Sequence, residues 1–206
     1  MWVDVKQNTD EWHELRRGVV TASNFPKIMA NYGKAFGNPA KEYAQKKALE
    51  RVTGEIDDSS SYRNSYMDRG NELEPIARML YEEQTFNFVS NGGFYKDGNL
   101  GDSPDGLIGS KGMIEIKSVI ANTQWKRLKS NKYDTSYQAQ IQGHLLLSGR
   151  EWCDFVSYCP EMNEKNRLFI YRVYPDKEYF EMLSKRLLEF EKEIIKNIEI
   201  LTNTTA

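Results

Sequence analysis

The spacing of apolar and polar residues predicts helices first, then a cluster of strands, and finally a long helix. Between residues 85 and 119 the apolar residues occur in short runs broken by glycine-containing turns, which is typical of strands and hairpins. Elsewhere they recur at helical spacing or alternate. The predicted helices cover residues 23–30, 41–52, 68–84, 124–132, 135–148 and 176–200, and the later strands cover residues 152–159 and 167–174.

This order of elements predicts an α/β fold, a single domain with a central mixed β-sheet flanked by helices. We expect Ser23 to cap the first helix, and residues 31–39 and 55–64 to form loops. The C-terminal helix carries an apolar seam that favours packing on the protein's own sheet over binding a partner. The seam comprises Phe180, Leu183, Leu187, Phe190 and Ile194. The expected division is a helical part over about residues 1–84, a sheet core over about 85–175 and a helix over about 176–201.

Composition indicates a soluble protein of one domain. The 206 residues are 39% hydrophobic, which is enough for one good core and cramped for two. Apolar stretches are too short to span a bilayer, and the first residues lack a signal-peptide pattern. The two cysteines, Cys153 and Cys159, fit neither a disulfide framework nor a zinc site. We therefore expect a cytoplasmic protein without membrane contact.

Charge leaves a nucleic-acid partner open. The net charge of −2 counts mildly against one, because a basic face is the usual footprint of such proteins. Local basic clusters could nevertheless line one groove, or could be ordinary solvated faces. These clusters are Arg16 with Arg17, and Lys126, Arg127, Lys129 and Lys132.

The most informative segment runs from residue 101 to residue 117. Asp105 lies in a turn between Pro104 and Gly106, and Glu115 and Lys117 are two apart on a predicted strand, so they share one face. A hairpin through residues 110–112 would bring Asp105 beside Glu115. The segment therefore predicts a cluster of two carboxylates and a lysine.

Such a cluster suits phosphodiester hydrolysis. Magnesium binds one or two carboxylates together with waters and phosphate oxygens, and a metal-activated water is a competent nucleophile near neutral pH. The neighbouring lysine could hold or deprotonate that water and offset charge on phosphorus. The plain alternative is a β-turn followed by a half-exposed strand, and the short motif alone does not decide between them.

Several motifs in fixed order carry a family resemblance over about residues 11–175. The pattern resembles the PD-(D/E)xK nuclease superfamily and, within it, the lambda exonuclease and YqaJ-type viral recombination exonuclease family. The fold that this implies has a restriction-endonuclease-like core. The matching motifs are Trp12-His-Glu-Leu-Arg-Arg-Gly-Val-Val-Thr-Ala-Ser23, Arg69-Gly-Asn-Glu-Leu-Glu74, Ser103-Pro-Asp-Gly-Leu107, Glu115-Ile-Lys117 and Tyr137-Gln-Ala-Gln-Ile-Gln142.

The resemblance implies a role for each matched position. Asp105, Glu115, the Ile116 carbonyl and Glu74 would hold the metal, Lys117 would be the catalytic lysine, and Gln140 would lie near the scissile phosphate. Two of these residues have plainer readings. Glu74 could be a first-turn carboxylate before Pro75, favoured by the helix dipole, and Gln140 could be a polar position on a surface helix.

The opening motif implies a site for the terminal 5′-phosphate of DNA, formed by Arg16, Thr21, Ser23 and Ser103. Arginine grips phosphate through two donors, and a helix start favours an anion. The alternatives are a surface ion pair of Arg16 with Glu14 or Glu11, and a mere capping role for Ser23. Asp102 adds an unexpected negative charge beside Ser103, and a second phosphate-binding cation stays open, with Lys34 as one candidate.

The function implied is a phage- or prophage-type 5′-to-3′ exonuclease on linear double-stranded DNA, giving 5′-mononucleotides and a 3′ overhang for recombination. Implied cofactors are two Mg²⁺ ions per active site, with Mn²⁺ as a substitute. Implied partners are a homotrimer ring around DNA and a single-strand annealing protein. Three rivals stay open: a structure-specific endonuclease of the same superfamily, a DNA-end binding protein without catalysis, and an α/β interaction domain.

Overall fold

The computed structural model describes residues 1–56 and 65–203, with the backbone alone at 65–67, so the loop expected at residues 55–64 lies mostly outside the described residues. The described part contains eight strands and seven α-helices. The strands are β1 (Trp2–Val3), β2 (Val20–Thr21), β3 (Phe94–Asp97), β4 (Leu100–Asp102), β5 (Gly106–Ile108), β6 (Gly112–Ser118), β7 (Trp152–Tyr158) and β8 (Leu168–Val173). The helices are α1 (Asp10–Arg16), α2 (Phe25–Met29), α3 (Asn38–Thr53), α4 (Ser65–Thr85), α5 (Ala121–Ser130), α6 (Gln138–Ser148) and α7 (Lys177–Asn203).

The strands form two four-stranded mixed sheets, which confirms the predicted mixed α/β class and divides the expected central sheet in two. The first sheet has the order β1-β3-β4-β2, and β2 runs parallel to β4. The second has the order β5-β6-β7-β8, with only the β6–β7 pair parallel. Among the described residues, no helix is both long and apolar enough to cross a bilayer.

Strand β6 is covered on both faces. Ile114 and Ile116 belong to a buried cluster with Ala77 and Tyr81 of α4, and Met113 points the other way into a cluster with Ile141 of α6. Because side chains alternate along a strand, Glu115 and Lys117 share the face of Met113, toward α6. The strand therefore presents charged groups inside the protein rather than at an open sheet surface.

Helix α6 approaches α2 closely because Gly143 lacks a side chain. A Cβ atom at Gly143 would lie 2.4 Å from the Phe25 ring, far inside ordinary contact distance. All residues from Ala139 to Leu145 are buried. The helix thus lies inside the protein, between the helical layer and the second sheet.

The C-terminal helix α7 packs on other helices, so the predicted packing on the sheet is wrong for most of its length. Leu183, Leu187, Phe190 and Ile194 are buried in a cluster with α2 and α3, and only Phe180 joins the cluster that contains Phe155 of β7. The reason lies in α3, where small residues recur every four positions and let α7 approach closely. These are Ala40, Ala44 and Ala48.

Ser23 does not cap a helix, contrary to expectation. It lies within a 3-10 turn (Ala22–Asn24), and α2 begins afterwards at Phe25 with Asn24 in the cap position. Pro26 explains the shift, because proline lacks an N–H donor and is tolerated only in the first turn. Helix α2 has only five residues, so the predicted contribution of a helix dipole to anion binding is small.

Candidate active site

Asp105 lies beside strand β6, as the predicted hairpin requires. Strands β5 and β6 pair with Gly106 opposite Ile114, which places Asp105 next to Glu115 across the hairpin. The Oδ2 atom of Asp105 accepts a hydrogen bond of 2.6 Å from the Ile116 backbone N–H. The aspartate is thereby fixed to the backbone of β6 itself.

Glu115 is 1% exposed and fully engaged by neighbouring donors. Its Oε1 accepts from Gln140 Nε2 at 2.6 Å and pairs with the Lys117 ammonium, and its Oε2 lies 2.9 Å from His144 Nε2. Burial alone would raise the pKa of Glu115, but Lys117 and His144 outweigh it and lower the pKa to about 2. The carboxylate is therefore ionised and held in one orientation.

Glu74 is the tenth residue of α4, so its alternative reading as a first-turn carboxylate is wrong. It lines a cleft of about 360 Å³ together with Asp105 and Arg78, and Arg78 donates to the Asp105 carbonyl. Burial, reinforced by the charge of Glu115, raises the pKa of Glu74. Gln140 is buried against Glu115, so its reading as a surface position is also wrong.

The carboxylate cluster, which we define as Glu74, Asp105 and Glu115, places its members close enough for Glu115 to raise the pKa of both others. Burial and the charge of Glu115 raise the pKa of Asp105 well above its ordinary value despite the nearby Lys117. Burial would lower the pKa of Lys117, but Glu115 and Asp105 raise it well above the usual lysine value. Lys117 is thus a cation held by the cluster.

The mutual repulsion of these carboxylates fits a divalent cation bound between them. Among the described residues, no three Asp, Glu, His or Cys side chains meet closely enough to hold a metal by themselves. Magnesium does not require such a cage, since it commonly binds one or two carboxylates and completes its shell with water and phosphate oxygens. Asp105 and Glu74, which face the cleft, provide the donor type that such an ion prefers.

The four residues expected to bind a terminal phosphate gather around Trp12, and we call them the end-binding pocket. The Arg16 guanidinium lies 4.0 Å above the Trp12 ring and reaches Thr21 Oγ1 at 3.5 Å, and Thr21 Oγ1 lies 3.2 Å from Ser23 Oγ. On its other side, Trp12 Nε1 donates to Ser103 Oγ at 2.9 Å. The structure therefore brings Arg16, Thr21, Ser23 and Ser103 together.

The alternative reading of Arg16 as a surface ion pair with Glu14 or Glu11 is wrong for the part of the chain that the structure describes, where Glu14 pairs instead with Arg17 at 3.2 Å. Burial lowers the pKa of Arg16, while the charges of Asp102 and Glu50 oppose the shift. The guanidinium of Arg16 therefore stacks on Trp12 and points toward Thr21 instead of pairing with a surface carboxylate.

Helix α2 and helix α3 each bring a lysine near the pocket. Lys27 and Lys47 both place their ammonium groups 5.5 Å from the Tyr43 ring, and the Tyr43 hydroxyl accepts from the Thr21 backbone N–H at 3.1 Å. Lys47 is buried and bound to Glu50 at 2.6 Å. Exposed Lys27 is therefore the better candidate to meet DNA.

The comparisons with known proteins identify the family of this chain. The model of the YqaJ-like viral recombinase domain matches residues 11–151, a range that contains both the end-binding pocket and the carboxylate cluster. The chain belongs to the YqaJ-like viral recombinase family. A search of curated proteins gives no match.

Solved structures place this YqaJ-like chain among exonucleases. An alkaline exonuclease (LHK-Exo) from Laribacter hongkongensis is 31% identical, with 95% of this chain and 97% of that chain covered and a TM-score of 0.83. Its complex with dAMP gives 32% identity, the same coverage and a TM-score of 0.85. A phage-related exonuclease from Haemophilus somnus 129PT shares the fold at 16% identity, with 92% and 99% covered and a TM-score of 0.70.

Sequence reasoning missed two residues at the site of this YqaJ-like chain. His144 lies within the predicted helix 135–148 and was given no role in the site, yet it is buried and contacts both Asp102 and Glu115. Arg78 was not singled out, yet it borders the cleft. Both follow a predicted site residue by four positions, His144 after Gln140 and Arg78 after Glu74, so helical spacing was the available signal.

One predicted groove residue lies elsewhere. Arg127 is 4% exposed, donates to Ser157 Oγ at 2.5 Å and lies 4.9 Å from the Phe155 ring. It therefore stabilises the packing of α5 on β7 and cannot line a DNA groove with Lys126, Lys129 and Lys132. Of the basic residues between 126 and 132, only the three lysines could then contribute to such a groove.

Proposed function

We propose that this chain is a magnesium-dependent 5′-to-3′ exonuclease on linear double-stranded DNA. The observation that carries the proposal is the meeting of Asp105, Glu115 and Lys117 at strand β6, beside a cleft lined by Asp105 and Glu74, in a member of a family related to exonucleases. Asp105, Glu115, the Ile116 carbonyl and Glu74 would hold two Mg²⁺ ions, with Mn²⁺ as a substitute. Such ions supply an activated water near neutral pH and offset charge on the attacking and leaving oxygens.

The protein's own groups orient the reaction. Gln140 and His144 hold the Glu115 carboxylate from the α6 side, while the Ile116 N–H fixes Asp105, so both carboxylates keep their position during turnover. Lys117 is a cation beside these carboxylates and would stabilise the negative charge that grows on the scissile phosphate. The family resemblance implies that Gln140 would also lie near that phosphate.

The end-binding pocket supports the direction of digestion. Arg16 supplies a guanidinium, and Thr21, Ser23 and Ser103 supply hydroxyl groups, which together suit a terminal 5′-phosphate. Capture of that end beside the carboxylate cluster would release 5′-mononucleotides and leave a 3′ single-stranded overhang for recombination. The solved complex of LHK-Exo with dAMP shows that this relative of the chain binds a nucleotide.

The family also suggests how the protein works in its host. We propose a homotrimer ring around DNA, a phage-type single-strand annealing protein as partner, and action in the cytoplasm of a bacterium that carries the phage or prophage. Helix α7 offers a surface for assembly, since Leu188 is 68% exposed and Ile195 is 45% exposed on its outer side. Light scattering on the purified protein would test the trimer.

Digestion of a duplex that carries a 5′-phosphate on one strand tests the activity. We expect loss of the phosphorylated strand with Mg²⁺ and no loss with EDTA. Lys117→Ala should abolish digestion, whereas Lys111→Ala, a matched change at an exposed lysine paired with Glu151, should not. Closed circular DNA should remain intact.

Other outcomes would reassign the function. Nicking of the circle together with an intact linear duplex would favour the endonuclease rival. If neither substrate is cut but the duplex end is bound, the protein is an end-binding protein. If it neither binds nor cuts DNA, it is an interaction domain.

A further inference from the structure

A single imidazole joins the two β-sheets. His144 of α6 directs Nδ1 to the carboxylate of Asp102 at the end of β4, and its Nε2 lies 2.9 Å from Glu115 Oε2 on β6. Each ring nitrogen thus faces a carboxylate oxygen, one on each sheet. One side chain therefore links the sheet of the end-binding pocket to the sheet of the carboxylate cluster.

Asp102 belongs structurally to the end-binding pocket. It directly precedes Ser103, and β4 pairs with β2 so that Gly101 lies opposite Thr21. Asp102 is fully buried, and its charge acts on Arg16. A shift of Asp102 would therefore displace the hydroxyl of Ser103 and change the field at the guanidinium.

The second oxygen of Asp102 is an unusual feature of this link. Within residues 1–56 and 65–203, Asp102 Oδ2 is buried without a hydrogen-bond partner. Such a carboxylate depends on its remaining partner, and here that partner is His144. The imidazole thus holds two carboxylates at once, one on each side of the boundary between the sheets.

Stability alone does not account for this arrangement. Buried charge networks lose much of their Coulomb energy to desolvation, and well-packed apolar groups of the same size often give equal or greater stability. Partners behind a metal ligand have a clearer role, since they orient the ligand, and their loss commonly lowers metal affinity or activity by about 10- to 100-fold. His144 occupies that position behind Glu115.

On the basis of the function proposed above, we propose that Asp102 and His144 form a positioning pair that orients Glu115 and fixes the end-binding pocket relative to it. His144 Nε2 serves the cluster, and His144 Nδ1 serves the pocket through Asp102. The two halves of the imidazole therefore act on two separable properties, metal affinity and selectivity for the 5′-phosphate.

Two amide variants separate these properties. In His144→Gln the side-chain amide nitrogen takes the place of Nε2, so this variant can keep the bond to Glu115 but loses the one to Asp102. In His144→Asn the shorter side chain places its amide nitrogen near the position of Nδ1, so this variant can keep the bond to Asp102 but loses the one to Glu115. We expect His144→Asn to raise the Kd for Mn²⁺, measured by electron paramagnetic resonance on the full chain, by about 10-fold or more. We expect His144→Gln to lower the preference for 5′-phosphate over 5′-hydroxyl duplex ends, as the ratio of kcat/KM, by about 10-fold.

Gln142→Ala is the matched control. Gln142 lies on the same helix and is equally buried, but its amide bonds the Tyr174 carbonyl and the Asp176 N–H, away from both sheets' charged groups. It should lower Tm while leaving Mn²⁺ affinity and end preference unchanged. A role of His144 in packing alone would make its variants resemble this control.

The outcomes separate the two claims. If wild type cuts duplex ends and binds Mn²⁺ but both His144 variants match it in affinity and preference, whether or not their Tm falls as that of Gln142→Ala does, the positioning role is overturned. If wild type neither binds Mn²⁺ nor cuts DNA, the proposed function fails and the inference fails with it.

Discussion

The carboxylate cluster and the end-binding pocket solve opposite electrostatic problems. The cluster crowds three carboxylates around the buried strand β6 and holds Lys117 as its counter-charge. The pocket relies on one guanidinium, Arg16, and on neutral hydroxyls. The first region collects carboxylates that suit a cation, and the second presents a guanidinium and hydroxyl groups that suit an anion.

The backbone elements that carry the two regions also differ, in length and in how completely they are covered. Strand β6 has seven residues and is covered by helices on both faces, whereas the pocket is built on the two-residue strand β2, the three-residue strand β4 and a 3-10 turn. A longer, fully packed element resists the repulsion among like charges. We infer that changes in the cluster affect the chemical step, and changes in the pocket affect which end is chosen.

The largest effect should come from Asp105→Asn. Loss of one metal ligand removes about 4 kcal/mol of transition-state stabilisation, so kcat on a linear duplex should fall about 10³-fold. The folded-state pKa of Asp105 lies above its ordinary value, so an ionised Asp105 destabilises the metal-free protein, increasingly as pH rises toward that pKa. The variant should therefore have an equal or higher Tm in EDTA.

Asp97→Asn serves as the control, because Asp97 is an exposed aspartate on β3 outside both regions. Its kcat and Tm should match wild type. An Asp105→Asn variant that keeps its activity would contradict the role of Asp105 as a metal ligand. A variant that unfolds more easily in EDTA would contradict the claim that the ionised Asp105 lowers the stability of the metal-free protein.

Magnesium should stabilise the protein through the same cluster. Binding to the folded state alone contributes about 2.7 kcal/mol when the free ion is 100-fold above Kd, so Tm should rise on adding Mg²⁺. Calorimetry with MgCl₂, and with NaCl at equal ionic strength as control, measures this shift. Equal shifts in wild type and in Glu74→Gln would exclude Glu74 from the ion site.

Local rules explain what could be predicted of the cluster. Side chains alternate along a strand and a glycine turn fixes a hairpin, so the placement of Asp105 beside Glu115 follows from neighbouring residues alone. The mixed α/β class followed from the order of elements in the same way. Gln140 was reached only through the family motif, since its helix is buried on all sides and shows no polar face.

Long-range packing explains what could not be predicted. The position of His144 depends on α6 lying between two sheets, and no local pattern indicates that Asp102 would meet it there. Arg127 looks like a surface cation on an amphipathic helix, yet its ring partners come from distant parts of the chain. The same limit applies to α7, whose seam indicates an apolar partner but does not identify α3.

Arg16→Ala should affect end selection more than chemistry. A hydrogen bond to a charged group contributes about 1.5–3 kcal/mol, so KM for a 5′-phosphorylated duplex should rise about 10- to 100-fold with kcat nearly unchanged. Arg17→Ala is the matched control, since Arg17 is exposed and pairs with Glu14. If both variants weaken the phosphorylated end equally, general charge rather than the pocket selects the end.

The smallest effect should separate Lys27 from Lys34. Lys27 lies against Tyr43, whose hydroxyl binds the Thr21 N–H, so its ammonium is placed to contact a DNA phosphate beside the pocket. Lys27→Ala should weaken duplex binding about equally across sequences and reduce the slope of log K against log salt by about 1. Lys34→Ala should leave that slope unchanged. If instead Lys34→Ala reduces the slope and Lys27→Ala does not, the DNA backbone runs along the loop at residues 31–37. The binding of a DNA end would then depend less on charges fixed beside the pocket, whereas the cluster still depends on Lys117.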